Sequence, residues 1–519
     1  MTSCAPRHGF IEYLVHLLFH APLSVPLQQS HRLMSPTHPL ELAEILMLVV
    51  PHLPLRSLPV CARVSRTWYQ VCVPLIWNDI YLNMAPESTA LIQRHSHLVK
   101  KVRAGRMSRR CTALRFENLD SLELDTECVE DIYTRFVMGH PTVTRLALRY
   151  FHPGCPSAFW DALLGFHNLR TLSMSSLEIF GPNIDKFWQL CRLLERLDIS
   201  MLHDSELNVI VPQEKFPSIK HLGVEARGAS NVPFFMEFLR RCPSLTFIRW
   251  QSVRYHEQAF LAGLSVLSEA NTLPYLEHLD VKVREIPNSL VAKVIQSMPR
   301  ITTLTLSMSD YVCEMDFATP LQSHFTNIRV LELFPESRVK SRMAQDILSS
   351  CPLLEKLVAP HVDADVVTEG KPWVCLGLKV LELALCFDPP STIRTLQPLV
   401  FDQLSKLTQL ESWCIAGPSD FAGTVDLRIE CGLDKLSTLR RLHSVVVYDI
   451  AERMGDAEVD WMLEHWKRLK VFSGKLNTLD DTVGKMLRER MWDHGIASDP
   501  VLSRDVRDDI GKASSTDAF

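Results

Sequence analysis

The sequence predicts an α/β fold in which a short helical unit precedes a long solenoid of repeated strand, turn and helix. Three observations lead to this prediction. A leucine motif recurs along most of the chain, the segments between its copies have helical periodicity, and a separate apolar stretch near the N-terminus has helical spacing without the motif. The chain has 519 residues, of which 46% are hydrophobic and 22% charged, a balance typical of folded proteins.

The recurring motif is L-x-x-L-x-L, and its copies mostly start 24 to 27 residues apart. This period is typical of repeats that pair a strand with a helix, and it lies below the ~40 residues of purely helical repeats. Alternate residues of a strand point to opposite faces, so we expect the motif leucines to face a core. The copies start at Leu119, Val143, Leu169, Leu194, Ile219, Leu245, Leu276, Ile301, Ile328, Leu354 and Leu378, with weaker copies at Leu407, Leu439 and Leu469.

The segments between the copies are predicted to be helices. Val291, Val294 and Ile295 illustrate their spacing, which places apolar residues on one helix face. Several of these segments end just before a proline, as at Cys242-Pro243 and Cys351-Pro352, because proline cannot continue a helix. Stacking such units in order predicts a concave parallel sheet and a convex layer of helices.

In motif and period, residues 98–476 resemble leucine-rich repeats. The resemblance implies a solenoid fold and a role in protein binding. One feature departs from the family, which usually has Asn or Cys three residues after the last strand leucine. Only Cys386 fits this rule, and apolar residues take the position elsewhere, at Phe151, Leu177, Leu202, Val253 and Val362. We therefore expect an irregular hydrogen-bonded ladder.

The apolar stretch spans residues 39–82 and is predicted to form three short helices. Leu42, Ile45, Leu46, Val49 and Val50 share one face of the first, which Pro54 limits. The stretch resembles an F-box, through Pro39-Leu40-Glu41, Ile45-Leu46, Leu53-Pro54, Leu58, Val64-Ser65, Trp68 and Leu75-x-Trp77. This resemblance implies docking on the Skp adaptor, and through it on a cullin, in an SCF (Skp, cullin, F-box) ubiquitin ligase.

We expect the adaptor to contact apolar residues of this unit. Trp68 is the one that we most expect to fill the core of the small unit instead, because a large aromatic side chain usually does so. The alternative interpretation is a helical hairpin that only caps the larger domain. The predicted adaptor-binding residues are Pro39, Leu40, Ile45, Leu46, Leu53, Leu58 and Trp68.

The predicted substrate-binding surface is the concave face of the central repeats. Residues on either side of the inward leucines point outward there, and Phe247 with Arg249 combines residue types that often anchor interfaces. The alternative is an ordinary solvated sheet face. The candidates are Arg196, Asp198, Glu225, Phe247, Arg249, Gln251, His278, Asp280 and Lys282.

No motif in the sequence predicts catalysis, a cofactor or a metal site. G-x-S-x-G, the phosphate-binding G-x-x-x-x-G-K-[ST] and H-E-x-x-H are all absent. The net charge of −5 does not favour a nucleic acid or a membrane surface as partner. The 14 cysteines include no C-x-x-C pair, which favours free thiols in a reducing compartment, cytoplasmic or nuclear. No apolar stretch reaches the ~18 residues of a membrane span.

The predicted domains are a flexible extension (1–38), the F-box (39–82), a basic junction with a first irregular repeat (83–118), the solenoid (119–492) and a tail (493–519). The basic segment from Lys100 to Arg110 is compatible with an acidic or phosphorylated partner, but we favour a solvated junction. The leading hypothesis is a non-catalytic substrate-recognition subunit of an SCF-type ubiquitin ligase. The alternative is an interaction scaffold whose F-box-like unit caps the solenoid, and nothing favours a hydrolase.

Overall fold

The structure is a computed structural model. It describes residues 42–82, 89–105, 107, 109–125, 131–149, 156–175, 183–200, 210–226, 232–252, 257–283, 288–308, 321–333, 341–416, 425–448, 454–474, 476–477 and 480–499. The chain divides into two units by its internal contacts. Unit 1 comprises residues 1–204 and 208–225, and unit 2 comprises residues 205–207 and 226–519.

Unit 1 begins with a helical module made of α1 (Ala43–Val49), a 3-10 turn (Val50–His52), α2 (Leu58–Cys61) and α3 (Arg66–Asn78). The hydroxyl of Ser65 accepts a hydrogen bond from the Trp68 N–H at 3.3 Å and so caps α3. The core of the module is apolar and contains Leu46, Leu58, Cys72, Ile76 and Trp77. The helical N-terminal unit predicted from the sequence is therefore confirmed.

The rest of unit 1 alternates strands and helices. The strands β1 to β7 are parallel and pair in chain order. Their register aligns Leu122, Leu146, Leu172, Leu197 and Leu222 in one buried row. The elements are β1 (Asp79–Leu82), α4 (Thr89–Arg94), β2 (Lys101–Ala104), β3 (Ser121–Asp125), α5 (Asp131–Met138), β4 (Arg145–Arg149), α6 (Ser157–Leu164), β5 (Thr171–Ser175), α7 (Asn183–Cys191), β6 (Arg196–Ser200) and β7 (His221–Ala226).

Unit 2 has the same organisation, and its strands β8 to β17 are also parallel and pair in chain order. The last strand lies inside residues 493–519, which the sequence predicts to be a tail. The elements are α8 (Val232–Arg240), β8 (Phe247–Ser252), α9 (Glu257–Glu269), β9 (His278–Val283), α10 (Asn288–Ser297), β10 (Thr303–Met308), β11 (Val330–Leu333), α11 (Ser341–Ser350), β12 (Lys356–Asp363), α12 (Ala364–Glu369), β13 (Val380–Cys386), α13 (Ile393–Leu404), β14 (Ser412–Ala416), β15 (Ser444–Tyr448), α14 (Asp456–His465), β16 (Val471–Ser473), α15 (Asp481–Asp493) and β17 (Ala497–Asp499).

In each unit the sheet has a buried face and an open face. In β5, Leu172 and Met174 are buried, whereas Ser173 between them is partly exposed. The buried face packs on the helices, as where Trp250 of β8 stacks on Phe260 of α9 with ring centroids 3.9 Å apart. The fold is thus the α/β arrangement predicted from the motif, a helical unit followed by parallel strands with helices between them, consistent with leucine-rich repeats.

Buried polar side chains connect successive repeats. His140 accepts a hydrogen bond from the Phe116 N–H at 3.2 Å, and its other ring nitrogen lies 2.8 Å from the Phe136 carbonyl. The Gln397 amide donates to the carbonyls of Asp426 and Cys431 at 2.6 and 2.9 Å, and its oxygen accepts from the Asp426 N–H at 2.8 Å. These bonds satisfy loop backbone groups that would otherwise be buried without partners.

Candidate functional site

The helical module exposes an unusually large amount of apolar surface. On α1, Met47 and Leu48 are 57% and 72% exposed, while Leu46 and Val50 on the other side of the same turns form the core. Exposed apolar side chains are ordinary when scattered singly, but a set of eight on one small unit is typical of an interaction surface. The exposed set comprises Leu42, Met47, Leu48, Val49, Leu55, Val60, Val64 and Tyr69.

The predicted adaptor-binding residues fall into three groups in the structure. Pro39 and Leu40 lie outside the described residues. Leu46 and Leu58 are buried in the core of the module, and the adaptor contact predicted for them stays a prediction. The remaining three, Ile45, Leu53 and Trp68, are half-buried and border the exposed set.

The expectation that Trp68 fills the core of the module is also wrong. Trp68 lies in the first turn of α3 and remains half-buried, whereas Trp77 in its last turn is buried. The indole of Trp77 stacks on the His95 ring with centroids 4.7 Å apart and planes at 18°. Burial, together with Arg94 and His97, lowers the pKa of His95, so the neutral ring is favoured against the indole.

The module continues without a linker into the sheet of unit 1. Helix α3 ends at Asn78, and β1 begins at Asp79 and pairs in parallel with β2. The Arg103 guanidinium of β2 donates two hydrogen bonds to the Asp79 carboxylate, at 3.1 and 2.5 Å. The helical module therefore leads directly into the first strand of the sheet.

On the open face of unit 1, Asp198 is the centre of a charged cluster. Arg196 donates to its carboxylate at 2.8 Å, and the Nε2 atom of His221 lies 3.5 Å from the other carboxylate oxygen. Burial alone would raise the pKa of Asp198, but the contacts from His221 and Arg196 outweigh it, and the pKa is lowered. Glu225 accepts a separate hydrogen bond from Ser200 at 2.8 Å.

Gly223 makes this cluster possible. It lies opposite Asp198 in the strand register, and a Cβ atom at this position would come within 2.2 Å of the carboxylate oxygen Oδ1. Only a residue without a side chain leaves the carboxylate room to lie across β7. The sequence analysis correctly predicted that Arg196, Asp198 and Glu225 lie on this face. It did not predict the role of Gly223.

On the open face of unit 2, Arg249 is the centre of a second cluster. Its guanidinium lies 5.6 Å from the Phe247 ring centroid and donates to Asp280 at 2.7 Å. The His278 ring approaches Phe247 edge-on with centroids 6.0 Å apart. Arg249 and Lys282 are exposed and Gln251 is partly exposed, so these three can reach a partner.

Asp280 is largely buried, and its side chain is 18% exposed. Burial raises the pKa of Asp280, with a smaller contribution from Glu332, although the Arg249 and Lys282 charges oppose it. Its Oδ1 atom is buried without a hydrogen-bond partner. We interpret Asp280 as the residue that positions Arg249 over Phe247, with Arg249 itself exposed at the surface.

The basic segment is partly occupied by intramolecular contacts. Arg103 pairs with Asp79, and Arg115, just after the segment, donates to the carbonyls of Thr112 and Leu114 at 2.7 and 2.9 Å. Arg109 and Arg110 remain exposed. These contacts favour the interpretation of this segment as a structural junction.

The described residues contain no group of three or more His, Cys, Asp or Glu side chains that could hold a metal ion. Among the same residues, no helix is long and apolar enough to cross a membrane. All ten cysteines in the described part of the chain are free thiols, and eight of them are buried.

An F-box-like family model matches residues 43–83, which correspond to the helical module and β1. No curated protein matches the sequence. One similar solved structure is described as "Structure of the Toll - Spatzle complex, a molecular hub in Drosophila development and innate immunity". The similarity has 12% sequence identity and a TM-score of 0.39, and covers 78% of this chain. The chain spans 58% of the length of that solved chain.

Proposed function

We propose that the protein is a substrate-recognition subunit of an SCF-type ubiquitin ligase, in which the helical module binds a Skp-type adaptor and the repeats bind a substrate protein. The observation that carries the proposal is the exposed apolar set on the module. F-box modules typically bind Skp-type adaptors, and the F-box-like match coincides with this module. A partner that covers Met47, Leu48 and Val60 removes apolar side chains from water, which stabilises the complex.

The protein would act by proximity in this proposal. F-box modules and leucine-rich repeats are typically non-catalytic, and the chemistry would come from partner subunits. Holding a substrate beside a ubiquitin-charged enzyme raises the effective concentration of the reacting groups. The contribution of this chain is then binding and orientation.

Charge introduced into the exposed set tests adaptor binding. We expect Met47→Glu with Leu48→Glu to weaken binding to a recombinant Skp-type adaptor at least about tenfold, or roughly 1.4 kcal/mol, because the carboxylates would be buried against an apolar partner. Isothermal titration calorimetry measures the change. Met138→Glu is a matched control, because Met138 is 59% exposed, close to the 57% of Met47, but lies on α5.

Two outcomes would contradict adaptor binding through this surface. One is equal affinity of the double variant and the wild type. The other is equal weakening by the Met138→Glu control. Circular dichroism must confirm that both variants keep their helices, since α1 contributes Leu46 to the core of the module.

A second candidate function is an interaction scaffold in which the module only caps the repeats. The observation that favours it is the continuity of α3 with β1 and the pairing of β1 with β2. Capping of exposed ends is a general requirement of solenoid proteins. The calorimetric experiment separates the two candidates, because a scaffold with a capping module has no affinity for the adaptor.

We place the substrate contact on the open face of unit 2, around Arg249 and Lys282. We expect Arg249→Glu with Lys282→Glu to change the set of proteins found by proximity labelling while leaving adaptor binding intact. The matched control is Arg300→Glu with Lys293→Glu. Arg300 also lies over an aromatic ring, 5.5 Å from the Tyr275 centroid, but in the turn before β10. If proximity labelling finds the same proteins for the wild type and for Arg249→Glu with Lys282→Glu, the substrate does not bind on this face.

A further inference from the structure

The turns that lead into β11 to β16 lie side by side along one edge of the sheet of unit 2. In each of them, the residue just before the strand accepts a backbone hydrogen bond from the next turn. The Glu411 carbonyl accepts from the His443 N–H at 2.8 Å, and the His443 carbonyl accepts from the Lys470 N–H at 2.8 Å. Because neighbouring strands lie ~4.8 Å apart, side chains at equivalent turn positions are direct neighbours.

In the first of these turns, charges of opposite sign compensate one another. Arg329, Glu355 and Lys379 are the residues just before β11, β12 and β13. The Glu355 carboxylate accepts hydrogen bonds from Arg329 at 2.8 Å and from Lys379 at 2.7 Å. Glu411, just before β14, continues the alternation of sign, which ends there because His443 and Lys470 come next.

The turns before β15 and β16 concentrate cations instead. When the register of these two strands is continued into the turns, Arg440 lies opposite Lys467 and Arg441 lies opposite Arg468. None of these four side chains forms an ion pair with a residue that the structure describes. Lys467 donates only to the Leu463 carbonyl, at 3.1 Å. We name the exposed polar residues of both turns the basic edge, which comprises Arg440, Arg441, His443, Lys467, Arg468 and Lys470.

We propose that the basic edge binds an acidic segment of a partner protein. Like charges at neighbouring positions repel one another and destabilise the folded chain, so cations that are left uncompensated indicate a surface for an anionic ligand. Arginine forms bidentate hydrogen bonds with carboxylates. Arg441 and Arg468 are therefore the residues that hold the acidic segment most directly, and the flanking cations add to the attraction.

A short acidic segment fits this surface better than a nucleic acid does. The chain has a net charge of −5, so the rest of the molecule repels a long polyanion. A short segment is attracted by the local cations alone, because charges more than ~8 Å away are screened at physiological ionic strength. Residues 440–443 and 467–470 also contain no Phe, Tyr or Trp on which a base could stack.

A fluorescently labelled hexaglutamate peptide is the probe that tests the proposal, and fluorescence anisotropy with the full chain measures its binding. We expect Arg441→Glu with Arg468→Glu to weaken binding at least about tenfold, because two attractive contacts become repulsive. Binding to the wild type should weaken as the ionic strength is raised, since the contacts are exposed to solvent.

The matched control is Arg342→Glu with Lys371→Glu. This variant changes the net charge by the same amount at two exposed positions of unit 2, on α11 and just after α12. It should leave the affinity for the peptide unchanged. Lys470→Glu distinguishes lost binding from lost folding, because it removes a cation beside His443 and should weaken peptide binding without lowering the melting temperature.

Four results would overturn the proposal. The peptide could fail to bind the wild type at low ionic strength, or it could bind Arg441→Glu with Arg468→Glu as tightly as the wild type. The control variant could weaken binding as much as the test variant. Hexathymidylate that binds more tightly than the peptide, and loses its affinity in the test variant, would assign the basic edge to a nucleic acid. Failure of adaptor binding would leave the inference unaffected, because the basic edge belongs to unit 2 and the helical module to unit 1.

Discussion

Gly223 shows how one residue without a side chain shapes the open face of unit 1. The carboxylate of Asp198 lies across the glycine and reaches both Arg196 and His221. A methyl group at this position would displace the carboxylate by steric overlap. Because the displaced atom is the end of a side chain, the main cost is the lost ion pairs rather than backbone strain.

We therefore expect Gly223→Ala to raise the pKa of Asp198 toward its ordinary value, measured by NMR titration. The free energy of unfolding should fall by about 1 kcal/mol at neutral pH, the usual range for a partly exposed ion pair. A lowered pKa in the folded state stabilises the protein above the unfolded pKa, so the difference between variant and wild type should vanish in acid. Gly377→Ala is the control, since a Cβ atom there meets nothing within 4 Å. An unchanged pKa of Asp198 would contradict the steric argument.

The sequence predicts strand residues well and module residues less well, for a physical reason. In a strand, alternation assigns each residue to a face, so the motif placed Leu197 inside and Arg196 and Asp198 outside. For the short helix α1, spacing placed Leu46 on the apolar face and left Leu48 off it, but it also placed Leu42 and Val49 on that face, and both are exposed. Burial there depends on how α1 packs on α3, which is a tertiary property.

Among the elements, the helical module depends on Trp77 more than on Trp68. Trp77 is buried and stacks on His95, whereas Trp68 is half-buried at the start of α3. We expect Trp77→Ala to lower the free energy of unfolding by about 3–5 kcal/mol, the usual cost of a large cavity in a core. Trp68→Ala should cost clearly less.

Hydrogen exchange distinguishes the two variants by location. In Trp77→Ala, amides of α3 and β1 should lose protection together, because the indole lies where the module joins the sheet. In Trp68→Ala the loss should stay within the module. If Trp68→Ala lost more stability than Trp77→Ala, the core of the module would depend mainly on Trp68.

Side-chain contacts between repeats explain how the fold tolerates the absence of the Asn or Cys that usually follows the last strand leucine in this family. Buried side chains from the helical layer take over part of its role, as Gln397 does for Asp426 and Cys431. Gln345 similarly donates to the Lys371 carbonyl at 2.7 Å. The sequence could not predict these contacts, because a Gln or His in a helical segment carries no signal for which distant loop it reaches.

At the scale of the whole molecule, stability should fall as the pH drops below neutral. Among the residues that the structure describes, burial lowers the pKa of five histidines, which are His95, His140, His278, His324 and His361. Above the unfolded pKa of about 6.5, each of these histidines makes its full contribution to the free energy of unfolding. That contribution is lost as the pH falls from the unfolded pKa toward the lower pKa of the folded state. Protonation of His140 would also break its acceptor contact with the Phe116 N–H.

We expect the melting temperature to decrease steadily from pH 7.5 to pH 5.5, measured by calorimetry. His140→Gln should show a smaller decrease, because an amide does not titrate and one of the five contributions is gone. The control is His52→Gln, since His52 is exposed on the module. A melting temperature that stays constant or rises over this range would contradict the linkage argument.

The ends of the repeat array illustrate what the motif cannot predict. Strand β1 follows α3 directly and β17 follows α15, and neither contains the leucine motif. Pairing with a neighbouring strand identifies both, although the buried Ile80 and Leu82 of β1 also alternate with less buried residues. The interior strands, by contrast, repeat the same buried positions and were predictable from period and spacing.

Truncation tests how the repeats of each unit depend on one another. A chain that stops after Pro299 loses β10, whose Leu304 and Leu306 lie in register with Leu279 and Val281 of β9. All four side chains are buried, so the cut would expose an apolar sheet edge, and unpaired edges promote aggregation. We expect the chain that stops after Pro299 to aggregate in size-exclusion chromatography. If the chain ending at Pro299 were soluble and melted cooperatively, the repeats of unit 2 would be stable without their neighbours, contrary to the stacking that buries β9 against β10.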